Sequence, residues 1–213
     1  MSWIRTLYET FDNIDRLGGK DLLPIAHSEQ NAHIEVTLNE ESEMIGASLV
    51  ARDNAVTLIP VTESSASRSG SGSIPHPLCD KLQYIAGDYE KYTGKKSENH
   101  YYAYMKQLEE WKESDYSNKK IEIIYNYLAK GNLIEDLVRF NVLVLKEDRK
   151  LDDIFSAGDI KLSVGKQSDS FVRFRVVTFD EDIEAVWMDK KVIDDYTRFY
   201  LSKQENVKFC YVT

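Results

Sequence analysis

The stretch Glu63-Ser-Ser-Ala-Ser-Arg-Ser-Gly-Ser-Gly-Ser-Ile-Pro-His-Pro-Leu-Cys-Asp-Lys-Leu-Gln-Tyr-Ile-Ala-Gly-Asp-Tyr89 joins two materials of opposite physical behaviour. From residue 64 to 73 every side chain is that of Ser, Ala, Gly or the single Arg68. Such a segment buries too little apolar surface to order itself, and reads as a loop that stays mobile until something binds it. Behind it, Pro75 and Pro77 pre-set a helical first turn. Leu78, Leu82, Ile85, Ala86 and Tyr89 then fall on one face at helical spacing, with Lys81, Tyr84 and Asp88 opposite. A Ser/Gly loop bearing one cation, delivered onto the positive end of an anchored helix, is a candidate phosphate or nucleic-acid contact. The same composition also describes a surface linker followed by an ordinary amphipathic helix.

On the amino side, Ser2 caps a predicted helix in which Ile4, Leu7, Tyr8, Phe11, Ile14 and Leu17 recur every three or four residues, ended by Gly18-Gly19. Ile34, Val36 and Leu38 alternate with Glu35 and Thr37. Ile45, Ala47, Leu49 and Ala51 alternate again across a turn, and residues 56–61 make a third short strand. Residues 1–62 therefore read as a helix plus a β-meander, and residues 63–75 as the flexible loop. On the other side, helical spacing covers residues 100–114, 121–130 and 133–139, making 76–140 a helical part. Beyond it, residues 160–164 and 171–178 read as strands, 189–203 as a helix, and 207–213 as a strand that breaks off. The expected fold class is α+β, a small antiparallel sheet with a surrounding layer of helices, forming the amino-terminal domain of a longer chain.

With 27 Lys and Arg against 36 Asp and Glu, the 213 residues carry a net charge of −9. That balance opposes a free-standing nucleic-acid binder, so any such contact must be local. No stretch reads as a membrane span, and Met1-Ser-Trp-Ile-Arg-Thr-Leu7 is not a signal peptide, so a cytoplasmic location is expected, with Cys79 and Cys210 as reduced thiols. His27, His33, His76 and His100 lack zinc-ligand spacing, and His27 and His33 read as structural hydrogen-bonding residues. The acidic run Asp180, Glu181, Asp182 and Glu184, followed by Asp189, Asp194 and Asp195, has two readings: the metal site of a nuclease, or solvated charges that cap a helix. Its spacing fits capping. Tyr101, Tyr102, Tyr104 and Trp111 read as packing surface at helical spacing, with base stacking as the alternative. Arg173 and Arg175 share one strand face and read as the best exposed cationic pair outside the loop.

Several blocks in order are similar to the CRISPR-associated large subunit of the type I-C Cascade complex. They are Met1-Ser-Trp-Ile-Arg-Thr-Leu-Tyr-Glu-Thr10, Leu23-Pro-Ile-Ala-His-Ser-Glu-Gln-Asn-Ala-His-Ile-Glu35, Ile59-Pro60 with Glu63-Ser-Ser-Ala-Ser-Arg68, Pro75 through Tyr89, and Phe209-Cys-Tyr-Val-Thr213. The resemblance implies a non-catalytic subunit, with no cofactor or metal, of an RNA-guided antiviral complex. Such a subunit recognises the protospacer-adjacent motif in double-stranded DNA and helps open the duplex beside it. It also implies partners: the subunit that grips the guide RNA 5′ handle, the repeated backbone subunits, the guide RNA, the target duplex, and the helicase-nuclease recruited after target binding. An acidic chain suits this role because base pairing by the guide reads most of the sequence and neighbouring subunits supply most of the positive charge. The motif-reading role falls on Ser64, Ser67, Arg68, Ser69, Gly70, Ser71 and Gly72 of the loop and on Lys81 and Gln83 behind it.

Overall fold

In the computed structural model, which describes residues 3–16, 22–68, 72–155, 164–179 and 185–204, the first periodic segment is helix α1 (Trp3–Arg16). Next come strands β1 (His27–Asn31), β2 (Ile34–Leu38) and β3 (Met44–Leu49). β2 and β3 form the expected antiparallel hairpin, with Ile34, Val36 and Leu38 buried between half-buried Glu35 and Thr37. The third strand, β4 (Val56–Pro60), does not extend a meander. A 3-10 turn at Arg52–Asn54 and a hydrogen bond from Ala32 N to Ala55 O (2.8 Å) return the chain alongside β1, where His27 faces Pro60 in a separate two-stranded sheet.

The main sheet is completed from far along the chain. β6 (Phe171–Val176) lies parallel to β2, with Glu35 opposite Arg173, and the two-residue β5 (Asp80–Lys81) pairs antiparallel with its other edge, giving the order β3-β2-β6-β5. The class is α+β, as the periodicities indicate, but the sheet is mixed. β6 is buried on both faces, Arg173 included, because neighbours cover both its edges and both its sides.

The longer helices occupy the places that hydrophobic periodicity marks. One turn, α2 (Glu63–Ala66), precedes the short helices α3 (Leu82–Ile85) and α4 (Tyr89–Thr93). The longer α5 (Glu98–Lys112), α6 (Lys119–Leu128), α7 (Leu133–Arg139) and α8 (Lys190–Ser202) supply most of the apolar layer. α5 buries Tyr104, Leu108 and Trp111, and Trp111 packs against Tyr196 and Phe199 of α8, which settles the aromatic residues at 104 and 111 as core. Two glycines let the layer close: a Cβ on Gly87 would lie 2.8 Å from the Cα of Gly131, which itself has φ +70°.

Buried charges are tied to backbone or to each other. Asp88 accepts from Ile134 N (3.1 Å) and Glu135 N (2.9 Å), capping α7 from the segment before α4. Lys120 pairs with buried Asp189, whose carboxylate also accepts from Lys191 N at the start of α8 (2.9 Å). Asp195 accepts from Asn118 (3.0 Å), and Asp194 is exposed. The remaining acidic positions, Asp180 to Glu184, lie outside the described residues, as do Gly18 and Gly19, most of the expected 160–164 strand, and the 207–213 strand with Cys210. Among the described residues no helix is long and apolar enough to cross a membrane.

A candidate nucleic-acid cleft

The segment from 63 to 89 departs from its sequence reading at both ends. Its first part is helical because Thr62 and Ser65 form a reciprocal capping box: Ser65 N donates to Thr62 Oγ1 (3.0 Å) and Thr62 N to Ser65 Oγ (2.9 Å). Ser64 and Ser67 are exposed on this turn, and Ser67 Oγ donates back to Glu63 O (3.3 Å). Ser69, Gly70 and Ser71 lie outside the described residues. Gly72 is exposed, and its carbonyl accepts from Tyr84 OH (2.9 Å).

Arg68 is not a free cation. Its guanidinium forks onto Asp80, with Nη1 donating to Oδ2 (2.7 Å) and Nη2 to Oδ1 (2.5 Å), while Nη1 also donates to Ile74 O (2.9 Å). The planar group lies over the Tyr84 ring at 4.4 Å from its centroid. Asp80 is fully buried and takes two further bonds, from His76 N (2.7 Å) and Lys81 N (2.7 Å). This is a bidentate, charge-assisted contact of the kind only arginine makes. It clamps residues 68 and 74 onto the sheet edge and corrects the expectation of a loop awaiting a ligand at these described positions.

The expected long helix behind the loop is also replaced. Residues 75–81 are non-helical, Leu78 sits at φ +70°, and Asp80 and Lys81 pair with β6 before Leu82 N donates to Ser170 O (2.9 Å). The apolar set Leu78, Leu82, Ile85, Ala86 and Tyr89 is buried as expected, but so are Tyr84 and Asp88, which the helical spacing places on an outer face. Sheet pairing has overridden the helical period. A four-residue turn has no developed positive end, so the phosphate argument drawn from a helix terminus does not apply here.

Three of the residues singled out from sequence nevertheless meet. Arg68, Lys81 and Gln83 line one cleft of about 240 Å³, together with Gln30, His76 and Tyr84. Lys81 is exposed and Gln83 half-buried. Gln30 and His76 are the members sequence reasoning misses. Residues 27–31 are a polar run with no alternation, and they become a strand only through pairing with β4. His76 is 5% exposed, its Nδ1 has no hydrogen-bond partner among the described residues, and burial, with Arg68 and Lys81 nearby, holds its pKa down at about 3. It is therefore neutral at physiological pH. Cys79, next to this site in sequence, is buried with its thiol pushed up to about 12, so it is an inert core residue.

The second cationic pair is likewise engaged. Arg173 Nη2 meets Glu35 at 2.8 Å and Arg175 Nε at 3.1 Å, and Trp187 lies under both guanidinium groups at 3.9 and 5.7 Å. Arg173 is buried, so the expectation of an exposed pair does not hold; its partner is Glu35 of the parallel neighbour strand. His33 and His27 do serve as hydrogen-bonding residues: His33 Nδ1 accepts from Phe171 N (2.8 Å), and His27 Nδ1 contacts Ile25 O (2.8 Å). Among the described residues no cluster of three or more His, Cys, Asp or Glu side chains could hold a metal ion.

A family model for the CRISPR-associated protein (Cas_Csd1) matches residues 7–213. The chain belongs to that family. The match spans the whole Arg68–Asp80 clamp, the cleft and the mixed sheet, so the Cas_Csd1 assignment covers the fold described above as one piece. No curated protein matches the chain.

Proposed function

We propose that this chain is the large subunit of a type I-C Cascade complex, and that its 240 Å³ cleft contacts the protospacer-adjacent motif of double-stranded DNA at the start of duplex opening. The observation that carries the reading is the convergence of Arg68, Lys81 and Gln83 on one cleft in a member of a CRISPR-associated family. In this reading the subunit is non-catalytic and cytoplasmic. It works beside the 5′-handle subunit, the repeated backbone subunits and the guide RNA, and a helicase-nuclease joins after target binding. The charge of −9 fits a contact confined to one face, with most phosphate neutralisation left to neighbouring subunits.

Ser64 and Ser67 adjoin the lining residues Ser65, Ala66 and Arg68 in sequence, and with Gly72, Ser69, Gly70 and Ser71 they belong to the same proposed contact. Arg68 acts here through Asp80, as a positioning residue, and is a poor first test because its loss disturbs the fold. Lys81 is the better one. Replacing it with Ala should weaken duplex-target binding by the assembled complex by about 1 kcal/mol, read by gel shift or anisotropy, with a smaller effect on single-stranded target, which needs no motif recognition. Equal loss on both substrates would show that Lys81 serves general backbone binding and would sink the assignment of this cleft.

A further inference from the structure

We propose that the cleft reads a nucleobase edge rather than gripping a phosphate, with the side-chain amides of Gln30 and Gln83 as its specificity-determining groups. The proposal rests on the reading of the chain as a duplex-recognising subunit and goes further by naming the chemistry recognised.

The argument starts from charge. A phosphate site needs cations or convergent N–H donors with charge to spare. Of the two cations lining the cleft, Arg68 is already matched one-to-one by Asp80, a carboxylate with no exposure to solvent. Lys81 alone among the lining residues keeps its charge unmatched, and it is exposed at the edge of the sheet. What remains is neutral and bifunctional. Gln30 comes from β1 and Gln83 from α3, so two amides reach the cleft from separate elements, and neither makes a side-chain hydrogen bond among the described residues. An amide donates and accepts side by side, as a base edge does, whereas a phosphate only accepts.

His76 adds a second, independent sign of a missing ligand. A buried nitrogen without a partner is uncommon in folded proteins because it loses its water and gains nothing in return. The His76 ring lines this cleft, and its Nδ1 is buried and unpaired among the described residues. The Arg68–Tyr84 stack gives the cleft a flat wall beside these groups. Lys81, at the edge, suits the phosphate next to the base that is read.

The test uses the assembled complex and a set of duplex targets in which each base pair beside the guide-matched segment is changed in turn. Gln30→Ala and Gln83→Ala should each weaken binding to the best target about ten-fold and flatten the preference at one position, leaving poor targets almost unchanged. Lys81→Ala should weaken all duplexes by a similar factor, with the order of preference kept. Melting temperatures of the variant complexes check folding, and Gln30→Glu and Gln83→Glu, which keep the shape and lose the donor, should shift the preference rather than abolish assembly. If the glutamine variants weaken every duplex equally, or none, while Lys81→Ala still weakens duplex binding, the base-reading assignment fails and the recognition role stands. If the unaltered complex shows no preference among the duplexes, the underlying reading of function fails with it.

Discussion

Two arginine clusters sit on opposite parts of the same sheet and solve the same problem differently. At the edge strand, Arg68 meets Asp80 one-to-one, stacked on Tyr84; between the central strands, Arg173 and Arg175 share Glu35 and stack on Trp187. Asp80 has no solvent at all, so its ionised form depends on one guanidinium and two backbone N–H groups. Glu35 keeps a 15% exposed side chain and two cations. The first cluster is a clamp with no spare charge. The second sets two arginines on one carboxylate, and both are committed to strand pairing and stacking. An arginine in a polar, Ser-rich stretch therefore need not face a ligand, and a pair alternating on a strand need not face water.

The largest expected effect separates the two clusters directly. Arg68→Ala leaves a buried carboxylate short of its cation and should cost about 3 kcal/mol in urea denaturation. Arg173→Ala should cost less, about 1–2 kcal/mol, because Arg175 still serves Glu35 while Asn54 O and Thr57 Oγ1 lose a donor. Equal costs would mean that the one-to-one clamp is no more demanding than the shared site.

Two neutral histidines lie near Lys81 on the edge strand, and acid distinguishes them. Burial, with Lys81 nearby, holds His33 down at about 4; burial, with Arg68 and Lys81, holds His76 at about 3, against 6.5 for an unperturbed imidazole. In that window the unfolded chain binds protons that the folded chain refuses. Stability is thus fully present above pH 6.5 and is lost as pH falls through 6.5 towards 4. The loss between pH 7.5 and pH 5 should be roughly 2 kcal/mol for each of the two histidines in denaturant titrations. Protonating His33 also removes the acceptor of Phe171 N, whereas His76 Nδ1 has no bond to lose. His76→Leu should therefore flatten part of the acid slope at little cost near neutrality, while His33→Leu should cost stability at both pH values.

The smallest effect concerns the rim of the shared site. The Arg175 side chain is 33% exposed, so Arg175→Ala should cost under about 1 kcal/mol and less still in high salt. A cost matching that of Arg68→Ala would show that exposure is the wrong measure of commitment here.

What was legible in the sequence is what short-range spacing encodes. The periods of α5, α6, α7 and α8, the β2–β3 alternation and the α+β class all come from patterns within a dozen residues. The burial of Leu82, Ile85 and Tyr89 was equally readable. The capping box of α2 lacks the usual signature because Ser65, rather than Glu or Gln, completes it. The rest depends on distant partners. β1 has no pattern of its own, β5 carries the spacing of a helix interior, and the Arg173–Arg175 alternation holds no sign of Glu35 and Trp187, which arrive from elsewhere. In the cleft, Lys81 and Gln83 were found through a local block, while Gln30 joins only through β1–β4 pairing.

The parallel contact between β2 and β6 has a bearing on the order in which the molecule is built. His33 N donates to Phe171 O at 2.8 Å, and His33 Nδ1 receives Phe171 N, across a sequence separation of 138 residues. A closure of that length is slow, because the entropy of the long loop is lost before the pairing rewards it. During synthesis the β2–β3 hairpin and the α5–α6 pair can form early, but β5 has nothing to pair with until Phe171 and Val172 emerge. Phe171 also lines the cleft. A nascent or truncated chain lacking residues 171–176 would hold Arg68, Lys81, Gln30 and Gln83 without bringing them together, so the cleft exists only once β6 has docked.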